Sequence, residues 1–151
     1  MSDHTVTHAT FTLERVYPVP PIPTCGAWAD PKVKGRWFAG NADGHELDFR
    51  PGGLERTRGT IDGKHIAWES LDREIVTDVR IVYTSVLTED DNIATVSLTT
   101  VEFFPDGDGT RLVFVEAGAY LDGWEQPAWR EQGTSDQLDA LGSELPARPG
   151  K

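Results

Sequence analysis

The chain has a single cysteine, Cys25, so no disulfide can form within it. No apolar run approaches the roughly 20 residues that a membrane-spanning helix needs. The first ten residues are rich in His and Thr and carry no apolar signal-peptide core. Basic residues are scarce: 14 Lys and Arg stand against 25 Asp and Glu, a formal net charge of −11. Such an excess repels phosphates and anionic headgroups, which argues against nucleic acid and negatively charged membranes as partners. The expectation is a soluble, cytoplasmic protein.

Motifs of known chemistry are also missing. His4, His8, His45 and His65 lack metal-ligand spacing. Asp106-Gly107-Asp108-Gly109 has the look of a calcium loop, but Ala117 holds the position of the closing bidentate Glu, so a hairpin turn is expected. Gly52-Gly53 lacks the strand, loop and helix context of a phosphate site, and there is no nucleophile elbow. Cys25 has no identified His partner and reads as a buried small hydrophobe. No metal and no cofactor are expected.

What the sequence does have is alternation. Thr10 to Tyr17, His45 to Arg50, Leu54 to Thr60, His65 to Arg73, Val79 to Thr88, Ile93 to Phe104 and Leu112 to Ala117 suit strands. Pro51-Gly52-Gly53, Ile61-Asp62-Gly63-Lys64 and Glu89 to Asn92 supply turns. Prolines 18, 20, 21 and 23 interrupt the chain after the first strand, leaving room for a short helix at Thr24 to Trp28. A second short helical segment, Asp30 to Trp37, starts on an Asp-Pro pair suited to an N-cap and first turn. The period then changes: Leu138, Leu141 and Leu145 share one helix face, predicting a helix from Pro127 to Leu145. The fold class is α+β, as one domain over residues 1–151 with its core at about 10–145.

Several of these segments are familiar together. Asp30-Pro31 with Arg36-Trp37-Phe38, Asp48-Phe49-Arg50-Pro51-Gly52-Gly53, Arg80-Ile81-Val82-Tyr83, Thr100-Val101-Glu102-Phe103, Gly109-Thr110-Arg111-Leu112, Leu121-Asp122-Gly123 and Arg130-Glu131-Gln132-Gly133-Thr134 occur in that order. In order and spacing they resemble the SRPBCC superfamily, the START-like or Bet v-like helix-grip proteins. Within it they look like the bacterial branch related to Aha-type chaperone ATPase activators, in a polyketide cyclase-like subgroup. The resemblance implies a curved antiparallel sheet around a long C-terminal helix, two short helices after the first strand, and a pocket between sheet and helix. Gln132 stands where such a protein is expected to carry His.

Alternation then sorts the strands by face. Val101, Phe103, Ser97 and Thr99 share a face, as do Leu112, Phe114 and Glu116, and Ile81 with Tyr83. If the pocket exists, Trp37, Trp68, Tyr83, Ser97, Thr99, Phe103, Phe114 and Glu116 are its candidate ligand-binding residues, the usual mix for a small-molecule site. An inward Glu116 must be paired, hydrated or protonated, and Arg50 and Arg56 are the partners considered. Tyr83 and Glu116 are also the candidate catalytic acid and base, provided burial moves them toward neutrality. The leading expectation is binding of a small hydrophobic or aromatic molecule. The alternatives are a cyclase or aromatase acting in the same pocket, and a module that binds a chaperone partner.

Overall fold

After the first strand, each predicted strand finds its neighbour through a short connection, and the result is a single antiparallel sheet. The computed structural model describes residues 4–40 and 42–146. In chain order the elements are β1 (Val6–Tyr17), α1 (Pro21–Ala29), α2 (Pro31–Lys34) running into a π-helical turn (Gly35–Ala39), β2 (Gly44–Leu47), β3 (Leu54–Ile61), β4 (Lys64–Val76), β5 (Arg80–Glu89), β6 (Asn92–Asp106), β7 (Gly109–Leu121) and α3 (Pro127–Glu144). The sheet order is β1-β7-β6-β5-β4-β3-β2. Only β1 departs from sequential pairing, by crossing over to β7. This is the helix-grip architecture that the resemblance implied.

The differences from expectation have local causes. The first strand begins at Val6, not Thr10, because β7 is long enough to pair with it from Leu121 onward. Asp122 then anchors the segment ahead of it, accepting from the Thr5 backbone N–H at 2.8 Å. Residues 1–3 lie outside the described residues. The first helix begins at Pro21, not Thr24, with Pro21 in its first turn. First-turn N–H groups have no helical partner, so the missing donor of proline costs nothing there. β2 stops at Leu47 because the Pro51 turn has already begun, with Arg50 N donating to Asp48 O at 3.0 Å. The Asp30 cap forms as expected, accepting from Lys32 N at 2.9 Å. The continuation of α2 as a π turn has no signature in the sequence.

Two register shifts curl the sheet. Arg73 is the extra residue where the β4–β5 pairing moves from Asp72↔Tyr83 to Glu74↔Val82. Ala94 is the extra residue in β6 opposite Leu87 and Thr88. Bulges of this kind bend a strand and increase its twist. The concave face takes Ile81, Tyr83, Val101, Phe103, Leu112 and Phe114, all buried. α3 seats Leu138 and Leu141 on it, each contributing roughly 1.5–3 kcal/mol by burial. Tyr17 donates to Leu138 O at 2.7 Å, and Gly142 lets the helix sit close: a Cβ there would lie 3.2 Å from the Tyr17 ring.

Candidate functional site

α3 grips the sheet mainly with its C-terminal half, and its N-terminal half stands off. Between that half, the π turn and strands β3 to β5 lies a cavity of about 560 Å³. Its aromatic wall is Trp28, Trp37, Phe38 and Trp68, with Phe114 and Tyr83 on the sheet side. The rings are mutually tilted: Phe38 and Trp68 centroids are 4.8 Å apart at 56°, and Trp28 and Trp37 are 4.7 Å apart at 68°. Such edge-on packing holds each ring by its neighbour, so the wall is preformed. The Trp37 indole is fixed further by donating to Ala27 O at 2.9 Å. The Trp28 indole N–H is buried with no hydrogen-bond partner.

The polar end of the cavity is built around Arg130 on α3. Its Nη1 meets Glu116 Oε2 at 3.2 Å, and its Nε donates to Glu125 Oε1 at 2.9 Å. Glu116 Oε1 accepts from Thr99 at 2.6 Å, and Glu125 Oε1 accepts from Thr95 at 2.6 Å. Ser97 shares a hydrogen bond with Ser85 at 2.6 Å and faces Arg130 Nη1 at 3.5 Å. Burial would lower the Arg130 guanidinium, but Glu116 and Glu125 together hold it above its ordinary value.

Among the predicted site residues, Trp37, Trp68, Tyr83, Phe114 and Glu116 line the cavity. Ser97 and Thr99 stand behind it as hydrogen-bond partners of Arg130 and Glu116. Phe103 does not reach it and packs edge-on to Trp28, centroids 6.4 Å apart. Neither Arg50 nor Arg56 meets Glu116: Arg50 pairs with Asp48 and Arg56 with Glu69, both at the surface. β3 carries Arg56 on its outward face, whereas the helix delivers Arg130 inward. Tyr83 does not move toward neutrality. Burial, then the charges of Glu116 and Glu55, push its phenol well above the usual range. It enters any chemistry as a neutral hydrogen-bond group. Gln132 is exposed and donates to Asp136 at 2.9 Å, so the missing His takes nothing from the cavity.

Arg130, Glu125 and Trp28 were not among the predicted site residues. Arg130 had a signal: Arg130, Thr134, Leu138 and Leu141 recur at four, four and three residues, the same face as the leucines.

Behind the aromatic wall is a second buried ionic group. Lys34 Nζ meets Glu55 Oε1 at 2.5 Å, both side chains 4% exposed. His45 Nε2 lies 2.7 Å from Glu55 Oε2. The ammonium also sits 5.0 Å from the Trp28 ring centroid and 4.7 Å from that of Phe38. Burial would raise the Glu55 carboxyl, yet Lys34 and His45 hold it below its usual value. Asp72 is in the opposite position. Burial raises it to about 6 against the pull of Lys34, and its Oδ2 is unpartnered.

A raised carboxyl favours folding below its unfolded pKa, and that stability is lost as pH rises through the folded value. Asp72→Asn is therefore expected to gain about 2 kcal/mol at pH 7.5 and no more than about 0.5 kcal/mol at pH 4. Urea denaturation at the two pH values checks this, and an equal difference at both would contradict it. Among the described residues no group of three or more His, Cys, Asp or Glu is arranged to hold a metal. No helix among them is long and apolar enough to cross a membrane.

Residues 26–145 match the family model described as Activator of Hsp90 ATPase homolog 1-like protein. An uncharacterized protein from Rhizobium leguminosarum has a similar solved structure, with TM-score 0.90 at 37% identity over 94% of this chain and 97% of its own. The Mll3558 protein from Rhizobium loti is 41% identical with TM-score 0.86, over 93% of this chain and 99% of its own. CalU16 from Micromonospora echinospora shares the fold at 18% identity and TM-score 0.62, over 93% of this chain and 83% of its own. No curated protein matches the chain in sequence.

Proposed function

This chain belongs to the Activator of Hsp90 ATPase homolog 1-like family, and from that premise we propose that it is a single-domain cytoplasmic protein whose cavity binds a small hydrophobic or aromatic molecule. The observation that carries this is the cavity itself. It is a cleft open to solvent at one side, concave and walled by aromatic side chains, the usual setting of a small-molecule site. Here about 560 Å³ stays open between preformed aromatic walls and one polar end. That volume falls within the roughly 300–1,000 Å³ of small-molecule sites, and the lining has their composition.

Two glycines offer a direct test. Gly133 on α3 lines the cavity, and a Cβ there would meet nothing within 4 Å. Gly59 on β3 lines it too, with its nearest neighbour 3.9 Å from an added Cβ. Gly133→Trp and Gly59→Trp are expected to fill the space while keeping the fold. The first also gains helix propensity, about 0.5 kcal/mol or more over glycine.

The measurement is a thermal-shift screen of flat aromatic polyketides, flavonoids and fatty acids, with tryptophan fluorescence as second readout. A ligand at about a hundred times its Kd adds roughly 2.7 kcal/mol of stability. The expected result is a clear shift in the native chain that both Trp variants abolish. A shift that survives in both would move the binding elsewhere, and no shift with any compound would sink the reading.

An enzymatic role of the cyclase or aromatase type uses the same space. Its support is that the Tyr83 phenol and the Glu116 carboxylate both line the cavity. Confinement of a reactive chain beside them supplies part of a barrier reduction. A chaperone-directed role rests on the family description alone.

A further inference from the structure

Resting on the cavity reading, we infer that the site selects its ligand by charge: it takes an aromatic molecule bearing a hydrogen-bond donor, a hydroxyl or an ammonium, and rejects carboxylates. The reason is that the positive charge facing the cavity is already committed. Among the described residues, the cations lining it are Arg58 and Arg130. Arg58 is at the rim and pairs with Glu46 at 2.9 Å.

Arg130 is at the polar end with a side chain 9% exposed, held between two carboxylates. A guanidinium has five N–H donors. Arg130 directs Nε and Nη2 to Glu125, and Nη1 to Glu116 and Ser97. One positive charge therefore faces two negative ones. An entering carboxylate meets a local excess of its own sign, with no uncommitted cation to receive it.

Acceptors, by contrast, are in surplus. An ionised carboxylate offers about four lone-pair positions. Glu116 uses one on each oxygen, toward Thr99 and Arg130. Glu125 takes Thr95 and both Arg130 contacts through Oε1. A donor on the ligand thus finds charged acceptors where charge-assisted hydrogen bonds are strongest. The Lys34 ammonium does not alter this, since it lies behind the aromatic wall and is matched by Glu55.

Three anthracene probes that differ only in their substituent test the idea: 9-anthracenemethanol, 9-(aminomethyl)anthracene as its ammonium, and 9-anthracenecarboxylate. Each is titrated by fluorescence into the full chain at pH 7 in 0.5 M NaCl, which screens the general negative charge but not the buried pair. The alcohol and the ammonium are expected to bind at least about tenfold more tightly than the carboxylate, and Glu116→Gln to narrow that gap by strengthening the carboxylate. Glu125→Gln, at the more exposed partner, is the second variant and should move discrimination the same way.

A carboxylate that binds as tightly as the alcohol, or a gap that neither variant changes, overturns the charge selection and leaves the cavity reading standing. Binding by none of the three overturns the donor preference, and the cavity reading falls with it if the wider thermal-shift panel is also blank.

Discussion

Replacing Arg130 with methionine is expected to cost about 3–5 kcal/mol at neutral pH, the usual penalty for breaking a buried ion pair by removing one partner. Methionine keeps much of the side-chain volume and loses the charge. Glu116, 5% exposed, and Glu125, 17% exposed, are then left facing the cavity without their cation. Arg130→Met/Glu116→Gln is expected to recover at least half the loss, because the more deeply buried orphan charge is gone. Urea denaturation of the four-member cycle measures this, with a coupling above about 1 kcal/mol expected for groups in direct contact. A loss under about 1 kcal/mol would mean that water entering through the cavity mouth already screens the pair, as at a surface.

Lys34→Met is the second large effect, also about 3–5 kcal/mol. The ammonium neutralises Glu55 and opposes the burial of Asp72, and it lies over the rings of Trp28, Trp37 and Phe38. Its removal leaves Glu55 with His45 as its remaining partner and deprives those rings of a desolvated cation, an interaction of about 2 kcal/mol in favourable cases. The consequence for the site is mechanical. Lys34 directly precedes the π turn bearing Trp37 and Phe38, so its tie to β3 holds that wall of the cavity in position.

In an Asp72→Asn background, Lys34→Met/Glu55→Met is expected to come within about 1 kcal/mol of its parent, since well-packed apolar groups commonly replace a buried pair without loss. Thermal denaturation of the single and combined variants decides it. A combined variant as unstable as Lys34→Met alone would show that the pair is needed for packing geometry and not for charge balance.

The extent to which these groups were legible in the sequence differs between them for a physical reason. Strand alternation put Glu116 on one face with Leu112 and Phe114, the family resemblance marked that face as inward, and all three are buried. Its partner was sought on the strands, at Arg50 or Arg56, although helical spacing already put Arg130 on the face of Leu138. Lys34 and Glu55 carried no signal: 21 residues and several elements separate them, and neither belongs to a repeat or motif. Phe103 shows the opposite limit. Alternation put it on the inner face, where it is buried, but which inward residues border open space depends on where α1 lies, and Trp28 covers Phe103.

By itself the sequence determined what backbone geometry decides locally. Those features are the strand alternation, the Asp62-Gly63 turn with φ of 52° and 78°, the Asp30 cap, and a C-terminal helix that ends within one residue of its predicted limit. Periods of 2 and 3.6 and the steric rules of turns act over a few residues, so a short window contains their causes. Only the tertiary structure decided which charges meet, which aromatic rings face empty space, and that α3 stands off the sheet at one end to leave a cavity. Those outcomes depend on how far apart whole elements come to rest. That distance is set by side-chain volumes from α1, the π turn, β3 and α3 acting together, and no single stretch of the chain contains them all.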